Sequence, residues 1–216
     1  MGLDFLAAFK YENIKLVTVS KTKPVRDIQE VYDTGHKIFG ENRTKELQEK
    51  YGQLPKDIEW HFIGNLQSKQ VKYISSFVHL IHSVDSLKLL QVINKEAIKH
   101  NRNINCLLQM YIAQEQTKQG FMISELEAVL LSEEFNLLKN INIVGVMGMA
   151  TFTVNKDQIR GEFRNLKECF DKTKINHFEN KEDFKEISMG MSNDYQIAIE
   201  EGSTIVRIGS LIFGPR

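Results

Sequence analysis

The chain has 216 residues, 42% of them hydrophobic and 26% charged, with a formal net charge of zero. That size supports one large unit over 1–216, and the balanced charge gives no basic surface for nucleic acid or an anionic membrane. No apolar run approaches the roughly 18 residues of a membrane span, and residues 1–8 lack the basic start and apolar core of a signal peptide.

The first strand is expected over Lys15–Ser20 and ends at Lys21. Lys21 shares the alternation of Val17 and Val19, so if those face inward its amine does too. Burial disfavours an ammonium, and a neutral amine is the nucleophile that captures an aldehyde. Lys23 has the same parity but precedes Pro24, where the chain turns, and both could equally be surface lysines around that turn. Val25, Ile28, Val31 and Tyr32 then share a helical face, between Pro24 and Gly35.

Strands follow at Lys37–Gly40 and Glu59–Gly64. Asn42, just past the second strand, could hydrogen-bond a ligand oxygen. His61 alternates with Ile63, so it could face a ligand or simply be a hydrogen-bonded core residue. A fourth strand, Phe77–Val84, puts His79 and His82 on opposite faces. The six histidines show no metal-ligand spacing, and no metal site is expected. Leu87, Leu90, Ile93, Ala97 and Ile98 mark the next helix, before the strands Asn105–Ile112 and Asn142–Ala150. Cys106 and Cys169 lie without CxxC spacing and read as reduced, mostly buried thiols of a cytosolic protein. Ile159, Phe163, Leu166 and Phe170 stripe one further helix, and the mixed-sign run Asn180-Lys181-Glu182-Asp183 reads as a solvated face.

The seventh strand, Glu186–Gly190, runs into Met191-Ser192-Asn193-Asp194, a glycine-permitted turn in which Ser192 or Asn193 can cap a helix running to Gly202. Backbone N–H groups at such a turn suit an anion, although an ordinary capped helix has the same pattern. The eighth strand, Thr204–Ile208, carries Arg207 in phase with Ile205 and Gly209. An inward guanidinium needs a partner, either a carboxylate on a neighbouring strand or a heteroaromatic nitrogen. Gly209-Ser210 offers a second exposed-backbone turn before Leu211-Ile212-Phe213, a candidate short extra helix of the kind that completes phosphate sites after strands seven and eight.

Eight strand–helix alternations favour a closed (β/α)8 barrel. The alternative, an open doubly wound sheet, lacks its GxGxxG fingerprint. On the barrel, Lys21, Asn42, His61, Met191, Ser192, Arg207, Gly209 and Ser210 all fall at or near strand C-terminal ends. An amine, two anion-suited turns and an inward arginine suggest a phosphorylated aldehyde cofactor. A phosphosugar-binding barrel enzyme is a competing reading.

The segments Val19-Ser20-Lys21-Thr22-Lys23-Pro24, Phe39-Gly40-Glu41-Asn42, Trp60-His61-Phe62-Ile63-Gly64, Lys118-Gln119-Gly120-Phe121, Ser188-Met189-Gly190-Met191-Ser192 and Val206-Arg207-Ile208-Gly209 resemble, in order, those of the pyridoxal phosphate homeostasis protein family. The resemblance implies an alanine racemase N-terminal domain-like TIM barrel that binds pyridoxal 5'-phosphate (PLP) as a Schiff base. It implies Lys21 as the aldehyde-binding lysine, Met191, Ser192, Gly209 and Ser210 as the phosphate cradle, and Arg207 as partner of the pyridine nitrogen, with Asn42 and His61 lining the pocket. It also implies a cytoplasmic monomer whose partners are PLP and, as candidate recipients, PLP-dependent apoenzymes.

An arginine at the ring nitrogen weakens the electron sink that PLP catalysis needs. The chain is also expected to end after the eighth strand, without the β-domain that supplies a second proton-transfer group in the similar racemases. A carrier without strong turnover is therefore expected, with a racemase of the same barrel type as the alternative.

Overall fold

The computed structural model describes residues 2–113 and 119–214. Eight parallel strands close into a barrel in sequence order, β1 (Lys15–Val19), β2 (Ile38–Glu41), β3 (Glu59–Phe62), β4 (Leu80–Val84), β5 (Ile104–Gln109), β6 (Ile141–Met147), β7 (Glu186–Met191) and β8 (Ile205–Ile208). The seam is the β1–β8 pairing, with Val17 opposite Arg207. Among the described residues the outer layer comprises α1 (Leu3–Ala8), α2 (Val25–Tyr32), α3 (Thr44–Gln53), α4 (Leu87–Lys99), α5 (Ile123–Leu130), α6 (Glu133–Asn136), α7 (Lys156–His177), α8 (Tyr195–Glu200) and α9 (Ser210–Phe213). A 3-10 helix, Ser68–Tyr73, stands in for the helix between β3 and β4. No described helix is long and apolar enough to cross a membrane.

Alternation along the strands splits the core in two. Val17, Leu80, Leu107, Val144, Met147 and Ile205 fill the barrel interior. A larger apolar layer, including Phe39, Trp60, Phe62 and Phe163, lies between strands and helices. Both cysteines are buried free thiols, and burial pushes each thiol up from its ordinary value.

Several expected boundaries shift. The apolar start of the segment Phe77–Val84 is not strand. Phe77 stacks on Tyr51 at 3.8 Å, and the Val78 N–H donates to the Ile74 carbonyl at 2.9 Å, so this stretch serves the outer layer and the strand begins at Leu80. The runs expected to reach Ile112 and Ala150 leave the ladder at Gln109 and Met147. Ile98, expected on the buried face of α4, is 57% exposed in the helix's last turn. Lys118 lies outside the described residues.

Candidate functional site

A cavity of about 450 Å³ opens at the C-terminal ends of the strands, walled by β1, the turns after β2 and β3, and the turns after β7 and β8. Lys21, Asn42, Met191, Ser192, Arg207, Gly209 and Ser210 all line it. Strand parity accounts for the two central basic residues. Val17 is interior, and Val19 and Lys21 follow on the same side of the chain. Ile205 is interior, and Arg207 and Gly209 follow it.

Lys21 sits at the first position of a tight turn. The Lys23 N–H closes that turn onto the Ser20 carbonyl at 3.0 Å, and Thr22 takes a positive φ of 65°. A β-branched residue in the left-handed region is strained and needs outside support. Glu46 supplies it, accepting from the Thr22 N–H at 2.5 Å. Lys50 Nζ donates to Glu46 at 2.7 Å, to Glu41 at 2.6 Å and to the Ser20 carbonyl at 2.8 Å, while the Ser20 hydroxyl donates to Glu41 at 2.6 Å. Lys50 and Glu41 are both buried, and burial raises the Glu41 carboxyl above its ordinary value despite the adjacent ammonium. Sequence reasoning missed this support. The α3 lysine looks like any helix-surface lysine, and its partners lie just past β1, on β2 and one helical turn back. Lys23 Nζ donates to the Phe213 carbonyl at 3.0 Å.

Arg207 is 5% exposed. Its Nη1 donates to Ser188 Oγ at 2.6 Å and its Nη2 to the Gly148 carbonyl at 3.3 Å. The salt-bridge alternative is thereby set aside among the described residues, because both partners are neutral. Burial pulls the guanidinium down to about 10, opposed by the charge of Asp194, so it remains a cation at neutral pH. Ser188 in turn leads into the core. His82 Nδ1 lies 2.9 Å from Ser188 Oγ, and His82 Nε2 lies 2.9 Å from His61 Nδ1.

His61 departs from expectation. It faces inward as its parity requires, but it sits a layer below the cavity and is not among the residues lining it. The register explains this. His61 pairs with Gly40 and with Leu80, the first residue of β4, and Ile63 and Gly64 occupy the rim instead. Gly64 is where backbones meet. A Cβ there would stand 2.3 Å from the Asn42 carbonyl oxygen, so only glycine lets the β3 turn press Asn42 into place.

At the two anion-suited turns, Gly190 has φ 92°, and a Cβ there would be 2.5 Å from the Ala198 Cβ. The expected cap at Ser192 or Asn193 is replaced by Asp194, which precedes α8. Its carboxylate accepts from the Met191 N–H at 2.6 Å rather than from α8, and burial raises it above its ordinary value. The Gly209 N–H donates to Ser192 Oγ at 3.4 Å and draws the two turns together. A Cβ on Gly209 would lie 3.0 Å from the Val19 carbonyl oxygen, so the turn packs directly on β1.

The alanine racemase N-terminal domain family model matches residues 8–216. A pyridoxal phosphate homeostasis protein of Aquifex aeolicus is 41% identical over 204 residues, covering 94% of this chain and 87% of the relative. The Synechocystis protein of the same name is 35% identical over 206 residues, covering 94% and 92%. PipY of Synechococcus elongatus, solved with PLP bound, is 29% identical with a TM-score of 0.88 over 99% of this chain and 98% of that one. Alanine racemase of Clostridium difficile shares the fold alone, at 17% identity and a TM-score of 0.78 over 59% of its chain. The chain belongs to the pyridoxal phosphate homeostasis protein family, built on the barrel of the alanine racemase N-terminal domain.

Proposed function

We propose that this protein binds PLP in the C-terminal cavity and acts in intracellular PLP homeostasis, holding the cofactor without strong catalytic turnover. One observation carries the reading. A buried guanidinium without a carboxylate among its described hydrogen-bond partners faces the same cavity as a lysine amine and two closely packed backbone turns. That donor set fits a phosphorylated heteroaromatic aldehyde, and the cavity has the size of a small-molecule site.

In this reading the Lys21 amine holds the aldehyde carbon covalently. Ser192, Ser210 and the backbone of Met191 and Gly209 surround the phosphate, which requires Asp194 to yield the Met191 N–H. Asn42 flanks the ring, and Arg207 stands at its nitrogen. When bound, the cofactor supplies an electron-withdrawing ring whose strength depends on protonation of that nitrogen. Arg207 stays charged and has no capacity to accept a proton, so at that nitrogen it would act only as a donor and would not favour its protonation. Besides Arg207, the titratable groups lining the cavity are Lys21, Lys23 and Asp194. Lys23 is bound to the Phe213 carbonyl, and Asp194 stands at the β7 turn assigned here to the phosphate. A proton-transfer group opposing Lys21 is therefore lacking among the described lining residues, which supports a carrier over a racemase. The reading extends to a cytoplasmic monomer that exchanges PLP with dependent apoenzymes.

The test is the visible absorption of purified protein before and after borohydride reduction, with the modified peptide mapped by mass spectrometry. The adduct is expected on Lys21, Lys21→Ala is expected to lose it, and Lys23→Ala to keep it. Undiminished covalent occupancy in Lys21→Ala overturns the proposal. Rapid exchange of the α-proton of a single-enantiomer amino acid by the holoprotein would favour the racemase instead.

A further inference from the structure

We propose that the opposite, N-terminal mouth of the barrel carries a site for a divalent cation of the zinc class, with Glu59, His61 and His79 as its ligands. Strand pairing creates the cluster. Glu59 opens β3, and His61 lies two residues on, on the same side of the strand. His79 precedes β4, where its N–H donates to the Trp60 carbonyl at 2.8 Å. One ligand atom from each residue comes within 4.8 Å of the other two.

The second observation is the state of His61. It is 2% exposed, and its Nε2 has no hydrogen-bond partner among the described residues, although its Nδ1 is engaged by His82. A buried ring nitrogen left unsatisfied forfeits its hydration with nothing in return. The hydrogen-bond chain limits what that nitrogen can be. Arg207 can only donate to Ser188 Oγ. If Ser188 also accepts from His82 Nδ1–H, then His82 Nε2 accepts from His61 Nδ1–H, and His61 Nε2 is a bare lone pair aimed at Glu59 and His79. A cation satisfies that lone pair and fixes this tautomer, in the way that a second-shell partner on the far nitrogen orients a metal-binding imidazole.

The donor set, two imidazoles and one carboxylate, is that of a borderline divalent ion with an open fourth position for water. Metal–ligand bonds of about 2.0–2.1 Å in a tetrahedron put ligand atoms about 3.3 Å apart. His79 Nε2 and Glu59 Oε2 are already 3.5 Å apart. The His61 and His79 rings now lie parallel, with centroids 5.5 Å apart, so coordination needs His79 to rotate while the core histidine stays. His79 and Glu59 side chains are each 46% exposed and free to adjust. The surrounding cavity of about 230 Å³ has room for water. Its other charged groups balance, Asp183 and Glu186 against Lys15 and Lys185, with the Lys15 ammonium paired to Glu186 at 2.5 Å, so the net negative charge of the cavity is that of Glu59 itself. The ion would clip β3 to the start of β4, a stabilising role suited to the N-terminal face of such a barrel.

The experiment titrates chelator-treated protein with Zn²⁺ by calorimetry, with Co²⁺ absorption as an independent probe of coordination. Wild type is expected to bind one Zn²⁺ per chain and to gain thermal stability. His79→Ala and Glu59→Gln, both at half-exposed positions, are expected to keep the native circular dichroism and bind at least about tenfold more weakly. Failure of wild type to bind, or wild-type affinity in both variants, overturns the proposal. Neither outcome depends on PLP.

Discussion

The His61–His82 pair makes stability depend on pH in a way that can be worked out. Both rings are buried in the barrel interior and bonded to each other. Burial holds each well below the ordinary histidine value of 6.5, and the positive charges of Lys15 near His61 and of Arg207 near His82 act in the same direction. Both are therefore neutral in the native state, whereas in the unfolded chain they take up protons near 6.5. As pH falls below that value the unfolded state binds protons the native state refuses, and stability drops until the native groups also titrate. Each histidine contributes a slope of about 1.4 kcal/mol per pH unit, so going from pH about 7.5 to about 5.5 removes about 1.4 kcal/mol for each, or about 2.7 kcal/mol for the pair. Glu41 and Asp194 act with opposite sign, because their raised values let the native state take protons first, whereas His36, lowered by burial, adds to the loss. A difference measurement isolates the pair. Urea unfolding followed by Trp60 fluorescence, with chelator present, should show His82→Gln losing about 1.4 kcal/mol less than wild type over that interval. Equal losses, or an imidazole NMR titration giving both core rings a native midpoint at or above 6.5, would refute the reasoning.

Two substitutions probe the scaffold of the cofactor pocket. Lys50→Met leaves Glu41 buried without its cation and should cost about 3–5 kcal/mol, read as a lowered urea midpoint. Because Lys50 also holds the Ser20 carbonyl, PLP occupancy measured by absorbance should fall with it. Gly64→Ala drives a Cβ into the Asn42 carbonyl and should destabilise by about 1–3 kcal/mol while weakening PLP binding several-fold in an absorbance titration. Unchanged binding would mean that the Asn42 turn does not shape the pocket.

What was legible in the sequence is what period two encodes. Val17, Val19 and Lys21 alternate on one strand, and Ile205, Arg207 and Gly209 on another, so their common inward face follows from local geometry alone. Depth along the strand is not encoded that way. His61 has the correct parity, but its layer is set by register against Gly40 and Leu80, which depends on neighbouring strands. The same limit hid both polar clusters. Lys50 finds Ser20 and Glu41, and Glu59 finds His79, only after strands pair. Strand ends were blurred because Val78 and Phe77 are as apolar as a strand while serving the outer layer.

The two basic residues that define the pocket come from opposite ends of the chain and meet only because the barrel closes. β1 pairs with β8 in a register that puts Val17 beside Arg207, and neighbouring parallel strands run about 4.8 Å apart. The absence of a side chain at Gly209 then lets the β8 turn rest on the Val19 carbonyl, just ahead of Lys21. Lys21 is held from one side by the Lys50–Glu41–Glu46 cluster and Arg207 from below by Ser188, which continues through His82 to His61. A barrel floor of aliphatic residues would be cheaper, since a buried guanidinium and two buried imidazoles each carry a desolvation cost. The polar column earns its place by fixing where the guanidinium points. Disturbing its lower end at His61 should therefore be felt at the upper end, and Arg207 should lose its aim before the barrel loses its fold.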